Sequence, residues 1–327
     1  MEPGKLTEDR RRAEVELQPP RFSLEPARAP RGMQQVSTLW KLFLFLLIAG
    51  EFGPSFLSKL ATSVLGRESW PLPPAFVLIV EVGSFGIVLG LTAVLALAED
   101  RPFGDYGLPF KEAFCGNFWV GFLLGLAEAS VLVGAILIFG GYSFGTFALQ
   151  GSGIVRWGFV HLLLFVFVGL YEEFLFRGYA QVSLTTLAGF WPAAILLSVG
   201  FGLVHLANRG ENWVGAMSVA LVGLLFAFTL KRSGNLWYAV GLHAGFDWGE
   251  SFLYSVPNSG EMLNGHLSYA VLHGPRWLTG GSIGPEGSVF CFVTMGLQFL
   301  VAAWLFPAKK AQSVAQNEPA QNSTPQN

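Results

Sequence analysis

From Leu39 to Phe306 the chain repeats one pattern, apolar runs of about twenty residues separated by short links that carry Gly, Asn or Pro. The run from Pro74 to Leu97 holds a single charge, Glu81. Segments of that kind have few folding options. In lipid every backbone N–H and C=O must be satisfied inside the protein, and a helix does this within one segment. At 1.5 Å per residue each run is long enough to cross a hydrocarbon core of about 30 Å. The composition agrees, with 52% hydrophobic residues against 13% charged and 30 phenylalanines.

The reading is therefore an all-α, polytopic transmembrane bundle of about eight helices with disordered polar tails. The expected spans are Leu39–Leu60, interrupted by Glu51 and Pro54, then Pro74–Leu97, Phe118–Phe139, Trp157 to beyond Arg177, Trp191–Leu206, Trp213–Leu230, Leu236–Tyr254 and Val289–Phe306. Residues 1–37, with Arg10-Arg11-Arg12 and scattered prolines, cannot bury enough apolar surface to fold alone, and residues 308–327 are rich in Gln, Asn and Pro. The helical domain is then 38–307. No small-residue cleavage site follows the first apolar run, so that run is expected to stay as a helix. Lys and Arg counted on alternate sides give thirteen against five, which puts both termini in the cytoplasm. A net charge of −2 without a basic patch excludes nucleic acid as a partner and leaves the bilayer. Cys115 and Cys291 have no framework spacing and read as small buried thiols.

Against this apolar background three polar clusters stand out. Glu172-Glu173-Phe-Leu-Phe-Arg177 closes the apolar run from His161 to Leu170, Phe201-Gly-Leu-Val-His205 follows, and His243-Ala-Gly-Phe-Asp247 comes third. A charge at the middle of a membrane helix costs about 2.5–3.5 kcal/mol on insertion scales, so such groups pair, face a cavity and serve a purpose. Glu173 and Arg177 are four apart and share a helix face, while Glu172 projects about 100° away with fewer charge partners, the setting of a general base. His243 and Asp247 repeat the four-residue spacing. Glu51, Glu81 and Glu128 read as helix-packing or cavity-lining residues. One helix-end problem follows: with straight helices ending at Arg177 and Leu206, Glu172 and His205 would lie towards opposite membrane faces, so the fourth helix has to tilt or run on past Arg177.

The chemistry can be narrowed by elimination. Of four aspartates only Asp247 lies in a span, which rules out an aspartyl dyad. There is no His-Glu-x-x-His, and Gly151-Ser152-Gly153 reads as a loop rather than a serine nucleophile. Buried Glu, His and Asp also suit a proton-coupled transporter, but no internal repeat supports one.

The order Glu-Glu-x-x-x-Arg, Phe-x-x-x-His, His-x-x-x-Asp on successive helices resembles the CPBP family, the CAAX prenyl endopeptidases and their bacterial Abi or self-immunity relatives. The resemblance covers about residues 100–255, including Asp105-Tyr-Gly-Leu-Pro109. It implies an eight-helix intramembrane peptidase with a conical cavity, acting on a membrane-associated peptide or protein. Glu172 with His205 would activate a water, His243 and residue 247 would stabilise the oxyanion, and Glu173 with Arg177 would hold the first motif in place. The eukaryotic enzymes carry Asn at the last position, and an ionised Asp247 would repel an oxyanion. It must be protonated, orient His243 or help hold a metal. Glu172, His205 and His243 would be the ligands if a divalent ion such as zinc is used, though their dispersed spacing favours a metal-free route. The alternative on the same fold is a non-catalytic scaffold or immunity protein. The prenyl specificity is not carried over, and the wording of the links suggests a bacterial cytoplasmic membrane.

Overall fold

The computed structural model describes residues 32–65 and 71–308, so most of both predicted tails, together with Arg67, lies outside the described residues. Helix α1 (Met33–Leu46) passes through a π-helical turn at Leu47–Phe52 into α2 (Gly53–Leu65). Pro54 has no N–H to offer the preceding turn, and the π turn takes up that mismatch, so Glu51 and Pro54 modify the first span without ending it. Next come α3 (Pro74–Ala98), with proline at its start, and α4 (Gly116–Ile138). Helix α5 (Ser152–Phe174) continues through a π turn at Leu175–Tyr179 into α6 (Ala180–Ala188), kinked where Gly178 has φ −82° and ψ −118°. Then follow α7 (Phe190–His205), α8 (Trp213–Ser233), α9 (Trp237–Trp248, extended by a π turn to Leu253) and α10 (Val289–Leu305).

By length and apolarity five helical rods among the described residues can cross a membrane: Gln35–Leu65, Pro74–Ala98, Gly116–Ile138, Ser152–Ala188 and Trp213–Ser233. Helices α7 and α10 are apolar but shorter. The all-α bundle of an integral membrane protein is thus observed. Large apolar side chains such as Val94, Leu97, Leu123, Phe159 and Trp304 cover its outside, as lipid requires.

Contacts between helix ends show that consecutive rods alternate in direction. At one end Lys41 Nζ lies 3.0 Å from Glu99 Oε1, the Asn235 amide donates to Glu112, and Arg232 donates to the Phe306 carbonyl. Tyr106 and Tyr179 both donate to Glu99 at this end. The Asp105–Pro109 link docks here too: Gly107, left-handed at φ 98°, accepts from Leu236 N, and the Pro109 carbonyl accepts from Trp237 Nε1. At the other end the connection 255–288 folds over the bundle. It is pinned by Leu72 to Leu263, by Asn208 to the Ser259 carbonyl, and by a two-residue antiparallel ladder of β1 (Tyr142–Ser143) on β2 (Val271–Leu272).

One helix pair fixes the site. Gly121 and Gly125 of α4 face Gly241 and Gly245 of α9 so closely that a Cβ on any of them would overlap the opposite backbone. In lipid, where apolar burial does not drive helices together, small residues let backbones meet and dispersion accumulate. Gly241-Leu-His243-Ala-Gly245 thereby presses α9 against α4 with one face and presents His243 on another.

Candidate active site

The three polar clusters converge on one cavity. Glu173 and Arg177 are buried behind it, with Arg177 Nη1 donating to Glu173 Oε1 at 3.2 Å. The guanidinium lies over the Phe201 ring, 4.4 Å from its centroid, and Gly223 of α8 leaves the space its Nη2 occupies. This is a charged group held by a carboxylate and a π face rather than by water.

Glu172, one residue earlier, turns into the cavity. Its Oε2 is buried without a hydrogen-bond partner, 3.6 Å from His243 Nε2 and 4.0 Å from His205 Nε2. His205 Nδ1 donates to the Phe201 carbonyl at 2.8 Å, which selects the Nδ1–H tautomer and leaves Nε2 free to accept on the Glu172 side. His243 has a carboxylate at each ring nitrogen. Nδ1 donates to Glu173 Oε1 at 3.3 Å, and Nε2 lies 3.3 Å from Asp247 Oδ2. Phe226 stacks on its face with an interplanar angle of 16°. Glu173 therefore serves two partners, anchoring Arg177 and orienting His243.

The helix-end problem is answered by the extension past Arg177. Because α5 runs on through the π turn into α6, Glu172 is an interior residue, and His205, the last residue of the short α7, meets it inside the bundle. Asp247 Oδ2 faces His243 Nε2 at 3.3 Å while its Oδ1 accepts from the Asn258 amide at 3.0 Å.

The cavity holds about 330 Å³. Glu172, His205, His243 and Asp247 line it, whereas Glu173 and Arg177 do not. Glu81 of α3 and Glu128 of α4 face the same space, the cavity-lining alternative for both, and Cys291 lines it as well. Five lining residues were invisible to sequence periodicity, Asn258, Ser259, Glu261, Leu263 and Glu286, because they come from the irregular connection 255–288. Cys115 is exposed rather than buried.

Residues 154–249 match the family model of the Rce1-like, Type II CAAX prenyl endopeptidases. The matched segment runs from the start of α5 to the end of α9 and contains all three motif clusters, so every side chain in the Glu172, His205, His243 and Asp247 constellation comes from the part of the chain that is similar to that family. Its cavity is completed from outside the match, by α3, α4, α10 and the 255–288 connection. No curated protein and no solved structure matches the chain.

Among the described residues no group of three or more His, Cys, Asp or Glu side chains is arranged to hold a metal ion. Glu172, His205 and His243 bring suitable donor types together, with Glu172 Oε2 3.6 Å from His243 Nε2 and 4.0 Å from His205 Nε2.

Proposed function

We propose that the protein is an intramembrane endopeptidase in which Glu172 activates a water for attack on a peptide carbonyl of a membrane-associated peptide or protein. The observation that carries this is the Glu172 Oε2 atom. It is buried, has no hydrogen-bond partner and is faced by the Nε2 atoms of two histidines. A water held there is in reach of a base and of two imidazoles.

The steps follow from these positions. Glu172 removes a proton as the water oxygen bonds to the carbonyl carbon. His205 Nε2 holds the same water in line, its tautomer fixed by the Phe201 carbonyl. His243, supported by Asp247 and Glu173, donates to the oxyanion as it forms. Glu172 returns its proton to the leaving amine, and the C–N bond breaks. Arg177 holds Glu173 in place, which is a positioning role. A divalent ion such as zinc, held by Glu172, His205 and His243, is the competing way to activate this water. The direct route is preferred because the three side chains come from separate helices and lack the compact spacing of known zinc motifs. Both termini are assigned to the cytoplasmic side, for a bacterial chain of the cytoplasmic membrane, from the Lys and Arg count.

The test is cleavage of a peptide library by the detergent-purified full chain, with metal analysis of the same sample. Wild type should cleave, and Glu172→Gln should lose cleavage while melting as wild type does. Folded wild-type protein that cleaves nothing in a broad library would turn the assignment to a scaffold or immunity role. Stoichiometric zinc whose removal abolishes cleavage would replace the direct route by the metal one.

A further inference from the structure

Next to the proposed water site the cavity gathers more negative charge than peptide hydrolysis requires. Six acidic side chains line it, Glu81, Glu128, Glu172, Asp247, Glu261 and Glu286, with two histidines and no lysine or arginine. Two of them, Asp247 and Glu286, share one corner, and a third carboxyl, Glu250, is buried behind it. The single Asn258 Nδ2 donates to Asp247 Oδ1 at 3.0 Å and reaches Glu250 Oε2 at 3.4 Å. Glu286 is held by the backbone N–H and the hydroxyl of Ser259. Glu250 is fully buried and its Oε1 has no hydrogen-bond partner, although it stands in electrostatic reach of Glu286, Asp247 and Glu128.

Carboxyl groups are not kept together in a low-dielectric interior without compensation, and one neutral amide shared by two of them is poor compensation. A cation completes the set. We infer that this corner is a subsite for the basic side chain, lysine or arginine, of the peptide substrate, formed by Asp247 and Glu286 with Glu250 buried behind them. The inference rests on the peptidase reading and names its substrate class. The apolar walls, among them Leu263 and Met295, would pack the aliphatic stem while the charged head meets the carboxyls. Position relative to the chemistry is also defined. Asp247 Oδ2 is 3.3 Å from His243 Nε2, which is 3.6 Å from Glu172 Oε2, so the subsite begins one side chain from the water. The basic residue therefore sits within a residue or two of the bond cut. A free carboxylate at that place in the substrate would face only like charge and is excluded.

The experiment compares peptide pools fixed at one position with lysine, arginine, norleucine or glutamate. Two readouts are taken on the full chain in detergent, cleavage by wild type and equilibrium binding to Glu172→Gln. Lysine and arginine pools should exceed norleucine by about tenfold to a hundredfold in both, the range for one charged hydrogen bond, and glutamate should fall below norleucine. Glu286→Gln, nearly isosteric, should collapse the lysine-to-norleucine ratio. Glu250→Gln provides the same test if the first variant does not melt as wild type. Equal handling of lysine and norleucine, or a ratio unchanged in both variants, overturns the subsite. Selective binding of basic pools without any cleavage upholds the subsite and overturns the peptidase reading instead.

Discussion

Arg177→Leu is the perturbation that best separates what holds this site from what reacts in it. Arg177 and Glu173 are 1% and 0% exposed, and the guanidinium is the only Lys or Arg group paired with that carboxylate among the described residues. Removing one member of a buried pair strands the other, at a cost of about 3–5 kcal/mol. Loss of the contact over the Phe201 ring adds to this by about 0.5–2 kcal/mol. The Glu173→Leu/Arg177→Leu double variant leaves no stranded charge, and apolar replacement of a whole buried pair is neutral or stabilising. It should unfold within about 1 kcal/mol of wild type, a coupling energy of 2 kcal/mol or more by the double-mutant cycle. Unfolding in mixed micelles, followed by the fluorescence of the ten tryptophans, measures this, since the helices persist in the micelle and the titration reads their packing. The double variant should nevertheless stay inactive, because His243 Nδ1 has lost its acceptor 3.3 Å away on Glu173. An Arg177→Leu midpoint equal to wild type, or a double variant no more stable than the single one, would refute the reasoning.

Asp247→Leu removes the oxygen that faces His243 Nε2, so cleavage should drop by about 10²-fold or more, whereas Asp247→Asn, which keeps an acceptor oxygen there, should retain cleavage, checked by initial rates alongside thermal melting. Gly245→Ala should push α9 from α4, because a Cβ there overlaps the Phe122 carbonyl, with a loss of about 1–3 kcal/mol in the same micellar titration and a loss of cleavage. Glu286, in the turn ahead of α10 and outside the spans, is pushed up to about 8 from the ordinary 4.5 by burial first and then by the charge of Asp247, with Glu211, Glu250 and Cys291 also facing it. The folded state therefore holds a proton that the unfolded chain releases: this contribution to stability is complete below about 4.5 and is lost as pH rises through about 8, and Glu286→Gln should flatten that slope. A bound basic side chain draws the same proton off, so the lysine-to-norleucine ratio should grow as pH is taken through about 8.

How far the sequence could be read follows from what sets each feature. Helix spans were legible because lipid leaves the backbone one local solution, and the observed limits of α3 and α4 differ from the expected ones by a residue or two. The motif residues were legible because a charge in an apolar run is costly and stands out, and the four-residue spacing carried Glu173 to Arg177 and His243 to Asp247. The tie between Glu173 and His243 was not legible, since it joins residues on different helices whose rotation depends on packing. That packing is set by the glycines of α4 and α9, which in an apolar run look like any other small residue until the facing backbone is known. The acidic corner was hidden for another reason. Asn258 and Glu286 belong to an irregular connection with no period to reveal which way a side chain points, and Glu250 lies inside a π turn that shifts the helical face by which it would have been judged. The split has a consequence for where specificity resides. The segment that matches the Rce1-like family model brings the side chains proposed for water activation on its own helices, whereas Glu286 and Asn258 reach the cavity from beyond residue 249. A chain can therefore keep the chemistry of the three motifs and change what it accepts by altering the 255–288 connection alone, and exchanging that connection should move substrate preference while leaving the dependence on Glu172 intact.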